Sequence, residues 1–180
     1  MHFLSKFAAS LNNLFPKVIS VEMISLPVQD SLFNYRVAGV AILNGKVLMH
    51  KTPSDHFWSL PGGRAELFEF SKDTLLREMQ EETGMQVQVG KMLWISENFF
   101  RYNGIRHHEI GFYFEMEIPG LKDQTDFSGS EGQEELLFSW IDVRSLDSVP
   151  IYPHFLAAEL ARNPLETGHF TMDFTNLDGL

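Results

Sequence analysis

The chain contains no cysteine. That absence excludes disulfides, thiolate nucleophiles and thiolate-held metals, so a site here must be built on oxygen and nitrogen. It is compatible with a reducing compartment, and a cytoplasmic location is the expectation. Cations are also scarce: 14 Lys and Arg stand against 24 Asp and Glu, a formal net charge of −10. Duplex binding rests on clustered Lys and Arg, so a general nucleic-acid-binding role is not expected. An anionic substrate would be repelled unless a metal or a local group of cations received it. No run approaches the ~18 apolar residues of a membrane span, and no internal repeat or low-complexity tract is visible.

At 180 residues, without an obvious linker, the chain fits one domain with a modest extension. Residues 1–30 read as the extension. There Phe3, Leu4, Phe7, Leu11, Leu14 and Phe15 recur at helical spacing but lack the continuous apolar centre of a secretory signal, which predicts a docked amphipathic helix. Residues 31–165 hold the main domain, and 166–180 a C-terminal tail.

Tyr35 to Thr52 reads as a hairpin, YRVAGVAIL and KVLMHKT joined by Asn44–Gly45. After the breakers Pro61, Gly62 and Gly63, Ser71 is expected to cap a helix from about Lys72 to Thr83 that ends at a left-handed Gly84. Leu75, Leu76 and Met79 form its apolar arc, with Glu78, Glu81 and Glu82 on the arc beside it. Strands are expected over Gln86–Val89, Lys91–Phe99 and Ile105–Ile118, with a turn at Asn103–Gly104. Leu121–Gln133 reads as a mobile polar loop, Leu136–Ile141 as a strand and Pro153–Arg162 as a helix. Strands and helices in this order suggest an α/β sandwich with a mixed sheet.

The helix carries the chemistry. Glu78 and Glu82 stand four residues apart and Glu78 and Glu81 three apart, so all three carboxylates share one face. Like charges at that spacing cost roughly 0.2–0.5 kcal/mol per exposed pair, and a divalent cation accounts for three of them together. Magnesium takes octahedral oxygen ligands, commonly one or two carboxylates plus substrate phosphates and water.

The segment GRAELFEFSKDTLLREMQEETGM resembles, without a gap, the signature of the Nudix hydrolase family, Gx5Ex7REUxEExGU with U aliphatic. The matching residues are Gly63, Glu69, Arg77, Glu78, Met79, Glu81, Glu82, Gly84 and Met85. Softer resemblance extends through Trp58–Gly62 before the box and Trp140–Asp142 after it.

The resemblance implies the Nudix fold, a mixed β-sheet sandwiched between helices, over residues 31–165. It implies a Mg2+-dependent hydrolase, with Mn2+ as a substitute ion, that cleaves a phosphoanhydride in a nucleoside diphosphate linked to another group. The alternative is a non-catalytic nucleotide-sensing module of the same fold, although such modules generally erode the box. An isomerase acting on an isoprenoid diphosphate is disfavoured, because that branch uses a cysteine. By the same resemblance Glu78 and Glu82 hold the metal together with the Gly62 carbonyl, and Glu81 ligates a second ion. Arg77 pairs with Glu69 to orient the box, with Gly63 and Gly84 as structural glycines. The general base is a glutamate of the box or one on a later loop, where Glu131 is the candidate against a merely solvated acidic turn.

Among further residues, Arg64 is a candidate phosphate contact, weighed against a surface ion pair with Glu66. His107–His108–Glu109 cannot converge as a zinc site, because adjacent strand residues point to opposite faces. His108 or Glu109 could line the substrate cleft, with His108 the substrate-binding candidate, weighed against the favoured reading of both as satisfied strand-surface groups. Trp94, Phe99, Phe100 and Tyr102 read as core before base-stacking platform.

Substrate choice is thinly specified. The region beyond the box lacks the proline typical of the ADP-ribose group, while Tyr102 resembles the tyrosine associated with dinucleoside polyphosphate hydrolases. The upstream motif of the coenzyme A group is absent. Phe68 replaces the small residue common in the box loop. The expected partners are a nucleotide-type small molecule and, through the N-terminal helix, a second copy in a homodimer, with no membrane and no duplex nucleic acid.

Overall fold

The computed structural model of the chain describes residues 23–121 and 123–175. The expected N-terminal helix, and the dimer contact attached to it, lie outside the described residues. Among the described residues nine strands form two sheets. The first sheet contains β1 (Ser25–Val28), β2 (Ser31–Val40), β5 (Gln88–Tyr102), β6 (Ile105–Glu117) and β9 (Gly168–Asp173), in the order β1-β2-β6-β5-β9. It is mixed: β2 runs parallel to β6 and β5 parallel to β9, while β1–β2 and β5–β6 are antiparallel. The second sheet is antiparallel, with β3 (Ile42–Leu43), β4 (Lys46–Lys51), β8 (Glu134–Asp142) and β7 (Phe127–Glu131) in the order β3-β4-β8-β7.

Two helices and a 3-10 segment complete the described chain: α1 (Ser71–Thr83), the 3-10 turn Val143–Ser148 and α2 (Phe155–Leu160). Alternation along the strands separates two cores. Leu48 on β4 packs with Leu75 and Met79 of α1, whereas its neighbours Val47 and Met49 pack with Leu156 and Leu160 of α2. The sheets are thereby held between a helix on either side.

Several expectations are met with changes. The Asn44–Gly45 turn has φ of 48° and 78°, the positive pair a tight hairpin requires, but it joins only β3 to β4. β2 belongs to the other sheet, because the chain changes sheets at Ala41. Asn103–Gly104, with φ of 49° and 78°, closes the longer β5–β6 hairpin, and β5 is one strand with an irregular register between Val89 and Trp94. Ser71 is not the cap of α1: it lies inside the first turn, and its hydroxyl meets the Tyr35 hydroxyl at 2.6 Å, while extended Phe70 takes the cap position. Gly84 ends the helix left-handed at φ 70°. Leu75 and Met79 are fully buried, but Leu76 is 40% exposed, so the apolar stripe is narrower than expected.

Two segments differ outright. The stretch read as a mobile loop contains β7, which pairs residue by residue with β8. Gly129 on β7 explains the close fit, since a Cβ there would overlap the Glu82 carbonyl at the end of α1. In the expected C-terminal tail, Gly168–Asp173 is an edge strand on β5. β7 lacks the apolar alternation of a strand and is one by its tight hairpin with β8, whereas β9 alternates Phe170 and Met172 with polar residues and pairs with distant β5.

Candidate active site

Two loops and one helix build the floor of the main cleft. Residues 61–65 run beside β2 and are tied to it by Gly39 N–H to Pro61 O (2.8 Å), Val37 N–H to Gly63 O (2.8 Å) and Ala65 N–H to Tyr35 O (3.0 Å). The loop then meets α1 so closely that a Cβ on Gly63 would overlap the Glu78 carboxylate. A side chain at Gly63 would therefore push the Glu78 carboxylate from the position in which Arg77 holds it.

Arg77 organises this junction. Its Nε and Nη2 donate to the two oxygens of Glu69 at 2.8 and 3.0 Å, Nη2 also reaches the Arg64 carbonyl at 3.0 Å, and Nη1 donates to Glu78 at 2.9 Å and Glu81 at 3.0 Å. A planar fork makes such paired contacts where a lysine could not. Hydrogen bonding to Glu69 holds the guanidinium far above its ordinary pKa. Burial works against ionised Glu69, but hydrogen bonds from Arg77, the Glu66 N–H and Thr74 outweigh it and keep the carboxyl below its usual range. The expected Arg77–Glu69 pair is thus formed.

Glu78 and Glu82 are 8% and 5% exposed. Burial pushes both upward, and for Glu82 burial together with the neighbouring Glu78 carries the pKa to about 8. One oxygen of Glu82, Oε2, is buried without a hydrogen-bond partner. The nearest imidazole is His50, whose Nδ1 lies 3.9 Å away, beyond hydrogen-bond reach. Burial and the Arg36 charge lower the His50 pKa to about 3, so the ring is neutral and forms no ion pair with Glu82. Arg36 itself donates to the Gly62 carbonyl at 3.0 Å and the Leu60 carbonyl at 3.3 Å.

These residues suit a hard divalent cation in chemistry. They offer two buried carboxylates, one with an unpartnered oxygen, a third carboxylate on Glu81, and a carbonyl on a side-chain-free Gly62. They do not form a closed cluster: among the described residues no three acidic or imidazole groups are gathered as a metal site. Arg77 binds two of the carboxylates and Arg36 the carbonyl, and a cation would exchange with these contacts. Glu78, Glu81, Gly62, Gly63, Arg64, Arg77, Tyr102 and Glu131 all line the cleft, a space of about 660 Å³.

Glu131 reaches it from the end of β7, beside Glu134, on a hairpin and not on a free loop. Arg64 has no acidic partner among the described residues; Glu66 lies instead 3.8 Å from Arg77. Tyr102 donates its hydroxyl to Asp55 at 2.9 Å. His108 is placed elsewhere: it is exposed on the opposite face of β6, edge-on to Phe33 and Phe99, because its neighbours His107 and Glu109 take the inward side. His108 thus does not line the cleft where the sequence reading put it, and Glu109 lines only a smaller adjoining pocket.

Arg36, His50, Asp55 and Asn34 escaped the sequence reading. The signal for two of them was present, since Arg36 and His50 are polar interruptions in strands otherwise rich in Val, Leu and Met. The aromatics divide by the same alternation: Trp94 is core, Phe99 faces His108, and Phe100 and Tyr102 line a smaller inner pocket that opens off the main cleft.

Comparison with known proteins agrees with this geometry. The NUDIX domain family model matches residues 34–159. Mutator protein MutT4 of Mycobacterium tuberculosis is 32% identical over 123 residues, which cover 67% of this chain and 46% of that protein. The Nudix hydrolase YvcI of Bacillus subtilis is 27% identical over 129 residues, 70% of this chain and 78% of that one. Against the first two curated relatives the match spans about half of their length, 46% in each. Among solved structures, a NUDIX hydrolase from Nitrosomonas europaea superposes with a TM-score of 0.55 at 16% identity, over 83% of this chain and 82% of that one. The MutT protein from Bacillus halodurans does so with 0.53 at 19% identity, over 77% and 90%. The fold and the box define a class, and the chain belongs to the Nudix hydrolase family.

Proposed function

We propose that the chain is a divalent-metal-dependent pyrophosphohydrolase that cleaves a phosphoanhydride bond in a nucleotide-type small molecule. The observation that carries this reading is the buried Glu82 carboxyl, with one oxygen unpartnered, one helical turn beyond Glu78, whose own carboxylate lines an open cleft. Burying an unpaired carboxylate is costly, and a cation offsets that cost.

In this reading Glu78, Glu82 and the Gly62 carbonyl hold Mg2+, and Glu81 a second ion. When bound, the metal neutralises the diphosphate and lowers the pKa of the attacking water. The chain's own groups do the rest. Arg77, locked to Glu69, sets the box loop against the helix so that Glu78 and Glu81 face the cleft. Arg64 supplies charge-assisted donors to phosphate at the cleft mouth. Glu131, exposed on the β7 hairpin, takes the proton of the water as general base. Tyr102 borders the end of the cleft where the non-phosphate part of the substrate is received.

The second reading, a nucleotide-sensing module without turnover, draws on one observation: Arg77 and Arg36 already satisfy groups that the metal would need. A product-release assay decides between them, with nucleoside triphosphates, dinucleoside polyphosphates, ADP-ribose and nucleotide sugars, with and without Mg2+. Metal-dependent turnover that disappears in Glu82→Gln supports the hydrolase. Nucleotide binding with no turnover across the panel assigns the sensing module.

A further inference from the structure

The box loop presents an apolar surface that nothing among the described residues covers. Phe68 is 102% exposed, Phe70 81% and Leu67 54%, three large side chains within four residues. Single apolar residues on a surface need no account, but a contiguous group marks a contact site. Phe68 is moreover held at φ 69°, in the left-handed region where a bulky side chain is an outlier. At full exposure its ring packs against nothing in the described fold that would offset that strain.

The chain itself supplies a cover. Met23 forms an antiparallel bridge with Glu66, and the Ile24 N–H donates to the Ala65 carbonyl at 2.6 Å. In an antiparallel pair, stepping back along one strand means stepping forward along the other, so the chain before Met23 is directed at Leu67 and Phe68. Those preceding residues hold the stripe Phe3, Leu4, Phe7, Leu11, Leu14 and Phe15 at helical spacing. A helix over residues 3–15 measures about 20 Å, and residues 16–22 span at most about 23 Å, so the stripe can fold back onto the loop beside which the chain enters.

Charge and tethering favour the same occupant. Residues 1–21 contain Lys6 and Lys17 and no acid, whereas all 24 Asp and Glu of the chain come later. Two of these, half-buried Glu66 at the bridge and exposed Asp73 in the first turn of α1, flank the apolar loop. A short tether gives the chain's own segment a local concentration on the order of millimolar, which a second copy in dilute solution does not reach.

We propose that residues 3–15 dock as an amphipathic helix on the box loop, with the stripe covering Leu67, Phe68 and Phe70, and so clamp the loop that bears Glu69. The contact stands apart from the activity proposed above and holds whether or not the chain turns over a nucleotide.

Because the chain has no cysteine, introduced thiols report without background. In the full chain, Leu67→Cys is combined in turn with Phe7→Cys or Leu11→Cys on the stripe and with Ser5→Cys or Asn12→Cys on the opposite face, and each pair is treated with a short bismaleimide. Cross-links within one chain should form roughly threefold or more faster from the stripe than from the opposite face, which helical periodicity turns away from the loop. Amide exchange across residues 3–15 should accelerate roughly tenfold or more in the double variant Phe68→Ser, Phe70→Ser, since a short helix without tertiary contacts is marginal in water. Both rings are exposed, so that variant keeps the fold; the cysteine pairs leave both rings in place and decide the matter even where it does not. Equal cross-linking from the two faces, or exchange unchanged by the double substitution, would overturn the contact. Cross-links found only between chains, at dimer mass on a denaturing gel, would overturn the intramolecular dock and assign the surface to a second copy. Co-sedimentation with vesicles of phosphatidylcholine and phosphatidylserine, lost in the double variant and without any cross-link within the chain, would overturn it in favour of a lipid surface.

Discussion

Two buried carboxyl groups, Glu82 on α1 and Glu109 on β6, are raised by burial for the same reason yet sit in opposite surroundings. Around Glu82 the neighbours are the acids Glu78, Glu131 and Glu81 and, opposing them, the Arg36 guanidinium, with His50 neutral at 3.9 Å. Around Glu109 they are aromatic rings and two distant guanidinium groups. The first environment asks for a cation, since every nearby acid makes ionisation harder and a divalent charge relieves them all. The second leaves its carboxyl among the aromatic walls of the inner pocket.

The largest expected effect is at the acidic end. Glu82→Gln should lower kcat/KM by roughly 10³-fold, in line with the several kcal/mol that a metal-held charge supplies, while the thermal midpoint without metal is little changed because burial already favours the neutral carboxyl, which glutamine resembles. Thermal-shift scans with and without Mg2+ check both halves: the wild type should gain stability from the ion and the variant should not. Wild-type turnover in the variant would end the metal assignment.

Next in size is Arg77→Lys. Five contacts to Glu69, Glu78, Glu81 and the Arg64 carbonyl cannot be reproduced by one ammonium, so a loss of roughly 2 kcal/mol in stability is expected, read as a lower urea midpoint, with activity reduced 10- to 100-fold by misplacement of the box loop. A variant that unfolds like the wild type would show that the network is ornamental.

A smaller effect separates the two carboxyls by pH. Glu109 has a folded-state pKa above its ordinary value, so folding takes up a proton and its favourable contribution is complete below about pH 4. It is lost as pH rises through the folded value. The groups facing it are Arg36 on β2, Arg64 on the box loop, and His107 and Tyr113 on its own strand. Glu109→Gln cannot titrate, so its stability relative to the wild type should increase as pH is raised from 4 to 8. A flat difference across that range would mean that Glu109 is ionised and paired in solution. Smallest of all, His108→Ala should leave kcat/KM within about twofold, since the side chain lies on the far face of β6 and exposed substitutions are usually near neutral.

Legibility from sequence follows the range of the interactions. The box helix, its left-handed Gly84, the shared face of Glu78, Glu81 and Glu82, and the fork from Arg77 to Glu69 are all set within 22 residues and by helical spacing. Both Asn–Gly turns were equally local. Ser71 was misread because its hydroxyl is taken by Tyr35, 36 positions away. β7 was missed because Ser128, Gly129 and Ser130 show no apolar alternation and take strand geometry from β8 and from the approach to α1 that Gly129 permits, while β9, whose Phe170 and Met172 do alternate, becomes a strand only on the distant edge of β5. For the same reason Glu131 could be named from its position but not seen to stand on a hairpin.

The sequence alone determined the acidic cluster of α1, since a helix brings residues three and four apart together whatever else the chain does. Only the tertiary structure decided the inner pocket. Asn34, Phe57, Phe100, Glu109 and Tyr152 come from five separate stretches, and they meet because β2 lies parallel to β6 and β5 antiparallel to it. Strand alternation permits either face to be the inner one; the pairing of the sheets selected the face of His107 and Glu109 and turned His108 to the solvent.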